Sequence, residues 1–397
     1  MQKWKKNLYT VWFTQLFSLI GFGFGMPFLP FFIQDLGISD PAELKLWTGI
    51  LTAAPAVALA VMAPVWGTLA DKFGKKPMLL RAMIGGTIVM VGMGLSTSVY
   101  WVLFFRILQG LITGTVTSSA ALVASGTPDN KLSYALGFVS SSTFIGYSLG
   151  PAAGGMIAEH FGYRMSFIIG AGIVLIGLFL VIFLIEEPVS ETQEEGKQLD
   201  GSGSTAKGGS IITSSIIMLF LLFFFMRLSR TLPTPFLPLY IQELRGTIDG
   251  SARITGILSG GIGLMSAISG LTLSRLGDRM NRLTLLSILV GAGSLTSALI
   301  IFFPAFGTLT GALMLTFFLI GGVEPLLMSL TSERVSSKNR GFLFGIQTMV
   351  GSFAWFVSPM LGSWVSIKYS IPAIFLLFSI TLTLTFIIAL IVRKKIR

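Results

Sequence analysis

Runs of about twenty apolar residues, each closed by a short polar or charged stretch, follow one another along this chain from end to end. About twenty residues of helix cross a hydrocarbon core of roughly 30 Å. The runs are continuously apolar instead of alternating with a period of two, which predicts helices, with every backbone group satisfied internally, and excludes a barrel. The pattern places spans at 8–33, 46–70, 78–98, 100–124, 133–158 and 163–186, and again at 211–240, 253–276, 283–303, 307–331, 341–366 and 370–392. The first run is too long for a signal-peptide core and lacks a small-residue cleavage site, so it reads as a retained span.

Six spans precede one long polar interruption and six follow it. The interruption holds Glu186, Glu187, Glu191, Glu194, Glu195 and Asp200, then Gly201-Ser202-Gly203-Ser204. An acidic, glycine- and serine-rich stretch cannot bury a core and reads as a solvated tether. The expected division is a helical bundle over 1–186, a linker over 187–210 and a second bundle over 211–397.

The halves also repeat each other. Pro27-Phe28-Leu29-Pro30-Phe31-Phe32-Ile33-Gln34-Asp35-Leu36 returns as Pro235-Phe236-Leu237-Pro238-Leu239-Tyr240-Ile241-Gln242-Glu243-Leu244, 208 positions later, with seven of ten residues identical. Gly137, Pro151 and Gly154 map onto Gly345, Pro359 and Gly362 at the same offset, and Asp71 maps onto Asp278 one residue out of register. A parallel repeat of this length in an apolar chain is an architecture of secondary transporters.

Composition sharpens this reading. With 53% hydrophobic and 11% charged residues and a mean hydropathy of +0.82, the chain lacks the polar surface a water-soluble globule of this size needs. The net charge of +11 is spread over short loops instead of being gathered into a stripe with aromatics, which argues for topology and lipid attraction over nucleic acid. With the N-terminus inside, 20 of the 28 Lys and Arg fall in inner segments and five in outer loops. That bias predicts a multi-pass protein of the cell membrane with both termini cytoplasmic. Absence of cysteine removes thiolate chemistry, and a single histidine, His160, argues against a histidine metal cluster.

At the inner end of the second span stand Gly67, Leu69, Asp71, Lys72, Gly74, Lys75, Lys76 and Pro77, with a degraded copy at Leu276, Asp278, Arg279, Asn281 and Arg282. Gly67 would allow close backbone approach, Gly74 a tight turn, and Asp71 an anion set to meet a helix N-terminus or the neighbouring cations. In the fifth span Gly146, Gly150 and Gly154 recur every fourth residue on one face, and Pro151 removes a backbone donor. A smooth, kinked face suits two bundles that rock against each other, and Pro359 preserves part of it in the second half. Ordinary small-residue packing is the alternative.

These motifs, with Arg106 and Gln109 in the fourth span, resemble those of the major facilitator superfamily. Gly146 to Gly155 is similar to the fifth-span motif of its drug:proton antiporter branch. The resemblance implies twelve transmembrane helices in two six-helix bundles, all α, with alternating access, gating by the glycine–aspartate loops and the fifth-span motif, and a monomer. It implies efflux of small amphipathic molecules driven by the proton gradient, with no cofactor and no catalytic chemistry. A carrier of a nutrient or a lipid-linked sugar, and a non-transporting receptor or scaffold, are the competing readings.

One carboxylate lies deep in an apolar run: Glu324, in the tenth span. Holding it ionised there costs about 2.5–3.5 kcal/mol on insertion scales, so it is expected to be paired, functional or protonated for part of a cycle. Arg227 and Arg230 share one face of the seventh span and are candidate partners. With Arg106 they form the proposed proton-coupling set, the alternative being a static salt bridge. Asp35 and Glu243 sit at span ends, where solvent serves them. Two arginines facing one glutamate also keep neutral, zwitterionic and anionic substrates in view beside cations. Tyr147, Phe224, Phe225, Met349 and Trp355 are candidate cavity walls, since aromatic and methionine surfaces adapt to varied apolar ligands.

Overall fold

A computed structural model describes residues 2–128, 131–187, 214–277, 279–303, 305–332 and 340–396, excepting the side chains of Asp71, Ser133, Ser332, residues 340–345 and Ile396. The expected linker and Asp278 therefore lie almost wholly outside the described residues. All regular structure among the described residues is helical.

Eleven helical stretches are long and apolar enough to span a membrane. One of them, α7 (Leu132–Leu184), contains Gly162 at φ 82° and ψ 163°, a conformation that breaks the helix into two. The described chain thus crosses twelve times, in the order expected from its apolar runs.

The first, fourth, seventh and tenth spans are each interrupted. The first consists of α1 (Lys3–Gly25), a 3-10 turn at Met26–Phe28 and α2 (Leu29–Asp35). Its repeat partner consists of α8 (Ser214–Thr231), a 3-10 turn at Thr234–Phe236 and α9 (Leu237–Arg245). Here Pro27 and Pro235, which lack the donor N–H, set the break. The fourth span divides into α5 (Val99–Ile112) and α6 (Thr115–Gly126) at Gly114, φ 122°. The tenth divides into α12 (Phe306–Ile320) and α13 (Val323–Ser332) at Gly321 and Gly322.

The second, third and eighth spans are α3 (Pro41–Phe73), α4 (Lys75–Leu95) and α10 (Ser251–Leu276). The ninth, eleventh and twelfth are α11 (Arg282–Phe302), α14 (Arg340–Lys368) and α15 (Pro372–Ile396). Asp40 and Asn281 cap α3 and α11 by accepting from Glu43 N at 2.7 Å and Thr284 N at 3.1 Å. Gly74, at φ 97°, makes the turn between α3 and α4.

Each half builds its own apolar core, and the halves meet through two helix pairs, α7 with α10 and α3 with α14. Further contacts between the halves join α2 to α9 and the two 3-10 turns to α10 and α3, at the end of the molecule away from the chain termini. At that far end Gln34 and Gln242 join amides, and Lys45 Nζ donates to Ser366 O at 3.1 Å. Toward the termini the same helices present exposed faces, as at Val61 and Val65 on α3 and Met349 and Phe353 on α14. Among the described residues the two halves are joined at the far end, and these faces toward the termini are exposed.

Candidate functional site

Glu324 stands in the first turn of α13, directly after the break in the tenth span. That break is held by Gly322 N–H, which donates to Ser269 Oγ of α10 at 2.7 Å. Arg227 and Arg230, one turn apart on α8, both reach the carboxylate: Arg227 donates to Oε1, and Arg230 to Oε2 at 3.1 Å. Each oxygen accepts from a separate guanidinium. Glu324 is 19% exposed and the arginines 39% and 25%, so the cluster borders open space instead of lying sealed in a core.

Across that space lies the other half. Tyr147 of α7 is within electrostatic reach of Arg227, Arg230 and Glu324, yet 53% of its surface is free. The ring is thus both open and near three charges of the opposite half. Phe224 lies one turn from Arg227 and stacks on Phe353 at 5.8 Å, with Phe225 edge-on to it at 5.4 Å. Met349 is also exposed and Trp355 half-buried. Phe353, one turn beyond Met349, joins this exposed aromatic group, and the sequence reading did not name it. Its signal was the four-residue spacing from Met349 on the same helix.

Arg106 stands apart from this cluster. Its Nε donates to Leu51 O at 2.6 Å, and Nη1 reaches Gln109 Oε1 at 2.7 Å and Met26 Sδ at 2.9 Å. It is 6% exposed and its partners are neutral, so it ties the fourth span to the second and to the break in the first. Arg81 was counted with the inner loops in the sequence. The structure sets it inside the bundle, over the Trp66 ring at 3.7 Å, with Nη2 donating to Thr113 O at 3.2 Å beside the break in the fourth span.

The gating candidates divide. Gly146, Gly150 and Gly154 do share a face, but the helix they admit is α1 of their own bundle. A Cβ on Gly146 would lie 2.6 Å from Leu19 Cβ, one on Gly150 2.9 Å from Gly23 Cα, and one on Gly154 would overlap Phe24. The face toward the other bundle is the adjacent one, where a Cβ on Gly155 would lie 2.7 Å from Ala252 O and one on Gly260 2.6 Å from Ser148 O. Pro151 contributes its carbonyl there, against Gly256. Pro359 takes the equivalent place in the second half, its carbonyl 2.9 Å from a Cβ built on Gly49.

Near the end of α3, Gly67 has open space around it among the described residues, without the close approach expected of it. The anion meeting a helix N-terminus is Glu187: it accepts from the Lys75 and Lys76 amides at 2.6 and 2.9 Å. The sequence reading placed Glu187 in the linker; its carboxylate caps α4. The side chain of Asp71, expected in that role, is outside the described residues.

Comparisons with known proteins bear on the fold and the family. A family model described as Major Facilitator Superfamily matches residues 11–322 and 219–397. The chain is 31% identical to the Multidrug resistance protein MdtG of Proteus mirabilis (strain HI4320), over 94% of this chain and 92% of that protein. It is also 31% identical to a multi-drug resistance efflux pump PmrA homolog of Lactococcus lactis subsp. lactis (strain IL1403), over 91% and 88%. Among solved structures, a bacterial homolog of the human lysosomal transporter Spinster, inward-facing and occupied, superposes with a TM-score of 0.79 at 12% identity, covering 98% of this chain and 96% of that one. The human organic anion transporter MFSD10 gives 0.72 at 18% identity, covering 98% and 100%. With twelve crossings, a parallel repeat and a charged cluster where two bundles face each other, the chain is a multi-pass membrane protein that belongs to the Major Facilitator Superfamily.

Proposed function

We propose that this protein exports small amphipathic molecules across the cell membrane by alternating access, with both termini cytoplasmic, and that the proton gradient drives it through Glu324. The observation that carries the reading is the Arg227–Glu324–Arg230 cluster at the rim of a cavity that opens toward the termini. An exporter that trades protons for substrate must have released its proton when its cavity faces the cytoplasm. A carboxylate that accepts from two guanidiniums supports this reading, because two cations favour the form that has released its proton. Protonation at the other face removes the negative partner of two guanidiniums, and a cluster that gains and loses a charge is a bistable element of the kind alternating access needs.

The wall supplies the rest: Tyr147, Phe224, Phe353, Met349 and Trp355 offer aromatic and thioether surface with few convergent polar groups. Such a wall suits varied apolar shapes better than one defined sugar or nutrient. Away from span ends the described residues include three guanidiniums, of Arg106, Arg227 and Arg230, against the carboxylate of Glu324. This balance favours neutral and zwitterionic compounds over dications. The names of the curated relatives, multidrug resistance proteins and efflux pumps, point to the same substrate breadth. The protein acts as a monomer, without a cofactor.

The test is reconstitution. Proteoliposomes given a panel of dyes and antibiotics are expected to show substrate and proton moving in opposite directions. Movement in the same direction, or substrate movement indifferent to a pH gradient, would remove antiport.

A further inference from the structure

Gln34 and Gln242 are one position of the repeat, 208 residues apart, and in the structure they bind each other. Gln34 Nε2 donates to Gln242 Oε1 at 2.9 Å, and Gln242 Nε2 donates back to Gln34 Oε1 at 3.1 Å. A closed ring of two such bonds is what two equivalent residues form when they face each other across a two-fold axis. The pair therefore sits where the axis relating the halves leaves the far end of the molecule.

The elements beneath it are rigid. Gln34 and Gln242 project from α2 and α9, whose preceding residues Phe31, Phe32, Ile33, Leu239, Tyr240 and Ile241 are buried. Beside the pair, Phe28 and Phe31 of one half pack on Ala252 of the other. Opening the cavity at this end requires α2 and α9 to part, and this amide ring must then break.

We infer that Gln34 and Gln242 form the latch of the far-side gate, a charge-free pair that closes the cavity there in each cycle. Titratable groups surround it: Asp35 and Glu243 follow the glutamines, Glu159, Tyr163 and Arg164 lie on α7, Asp249 precedes α10, and Lys45 lies on α3. None of them is in the ring, and the ion pair Arg164–Asp35, at 3.8 Å, stays within one half. A carboxylate–cation latch would loosen as the outer medium acidified, whereas an amide pair does not respond. The gate is held independently of the proton concentration it faces, and the proton is sensed at Glu324.

The absence of cysteine makes the test direct. Cysteines introduced as Gln34→Cys and Gln242→Cys and joined by a short cleavable thiol reagent should abolish transport in proteoliposomes, and cleavage should restore it. Joined protein that transports at the uncross-linked rate would overturn the latch. A second arm uses Ala252→Cys as a reporter, buried at the closed gate. Adding Gln34→Ala should raise far-side thiol labelling about tenfold, roughly the worth of two amide hydrogen bonds, and adding Gln242→Ala as well should raise it no further. In a Glu324→Gln background, labelling with the glutamines intact, taken relative to that of the same cysteine in the unfolded protein at each pH to remove the thiol's own ionisation, should not change with far-side pH, while Gln34→Glu with Gln242→Glu should make this ratio rise with pH as the two acids ionise and repel. Unchanged labelling in Gln34→Ala, or a ratio that follows pH with the glutamines intact, refutes the proposal.

Discussion

A carboxylate inside a membrane must have partners, and here the partners fix what each substitution should do. Removing Arg230 takes away one of the two donors to Glu324. Charge-assisted bonds of this kind are worth about 1.5–3 kcal/mol, so Arg230→Ala should lower the thermal midpoint in detergent and shift the pH profile of transport. Arg106→Met should behave differently. It leaves Leu51 O and Gln109 Oε1 without their buried donor, so the melting temperature should fall while the pH profile of the remaining activity keeps its shape. A changed profile would return Arg106 to the coupling set. At this scale the sequence made Glu324 and its two arginines legible, because a lone acid in an apolar run and two cations three residues apart need no tertiary knowledge. Arg106 was not separable from them, since a sequence shows a buried charge but not whether its partner is a carboxylate or a carbonyl.

Helices were the easiest feature to foresee and their interruptions the hardest. A run of twenty apolar residues has one solution in lipid, whereas Gly114, or Gly321 with Gly322, is as common in an intact membrane helix as in a broken one. The partner of a glycine face was equally hidden: spacing says that Gly146, Gly150 and Gly154 share a side, and only packing says that the side meets α1. Gly155 and Gly256 hold the interface between the bundles, so Gly256→Trp should force the far ends of α7 and α10 apart. Far-side labelling of a cysteine at Ala252 should rise, and wild-type labelling would contradict the placement. At the other end Glu186 accepts from Lys6 at 3.1 Å and lies 3.5 Å from Lys3, tying the end of α7 to the start of α1. The hydrogen bond from Lys6, helped by the charges of Lys6 and Lys3, holds the Glu186 carboxyl below its ordinary range. Because the folded value is depressed, this tie is complete above the range where an unfolded glutamate titrates and is lost as pH falls through the lower folded range. Protection of the amides at the start of α1, measured against their intrinsic exchange rate at each pH, should fall in acid, and Glu186→Gln should remove that dependence.

For the whole molecule, the repeat foretold two bundles, but not which end would be closed. That depends on contacts between residues about 100 to more than 300 positions apart, such as Ser148 with Gly260 and Lys45 with Ser366, which no local pattern encodes. On the proposed function, the joined far end, the exposed faces toward the termini and the paired Glu324 cluster are one station of the transport cycle. The account stands on the claim that Glu324 carries the proton through the remaining stations. Its most direct test compares two activities of Glu324→Gln in proteoliposomes, exchange of labelled for unlabelled substrate without a gradient and accumulation driven by a pH gradient. The account predicts that exchange persists and pH-driven accumulation disappears; accumulation at the wild-type level would contradict it.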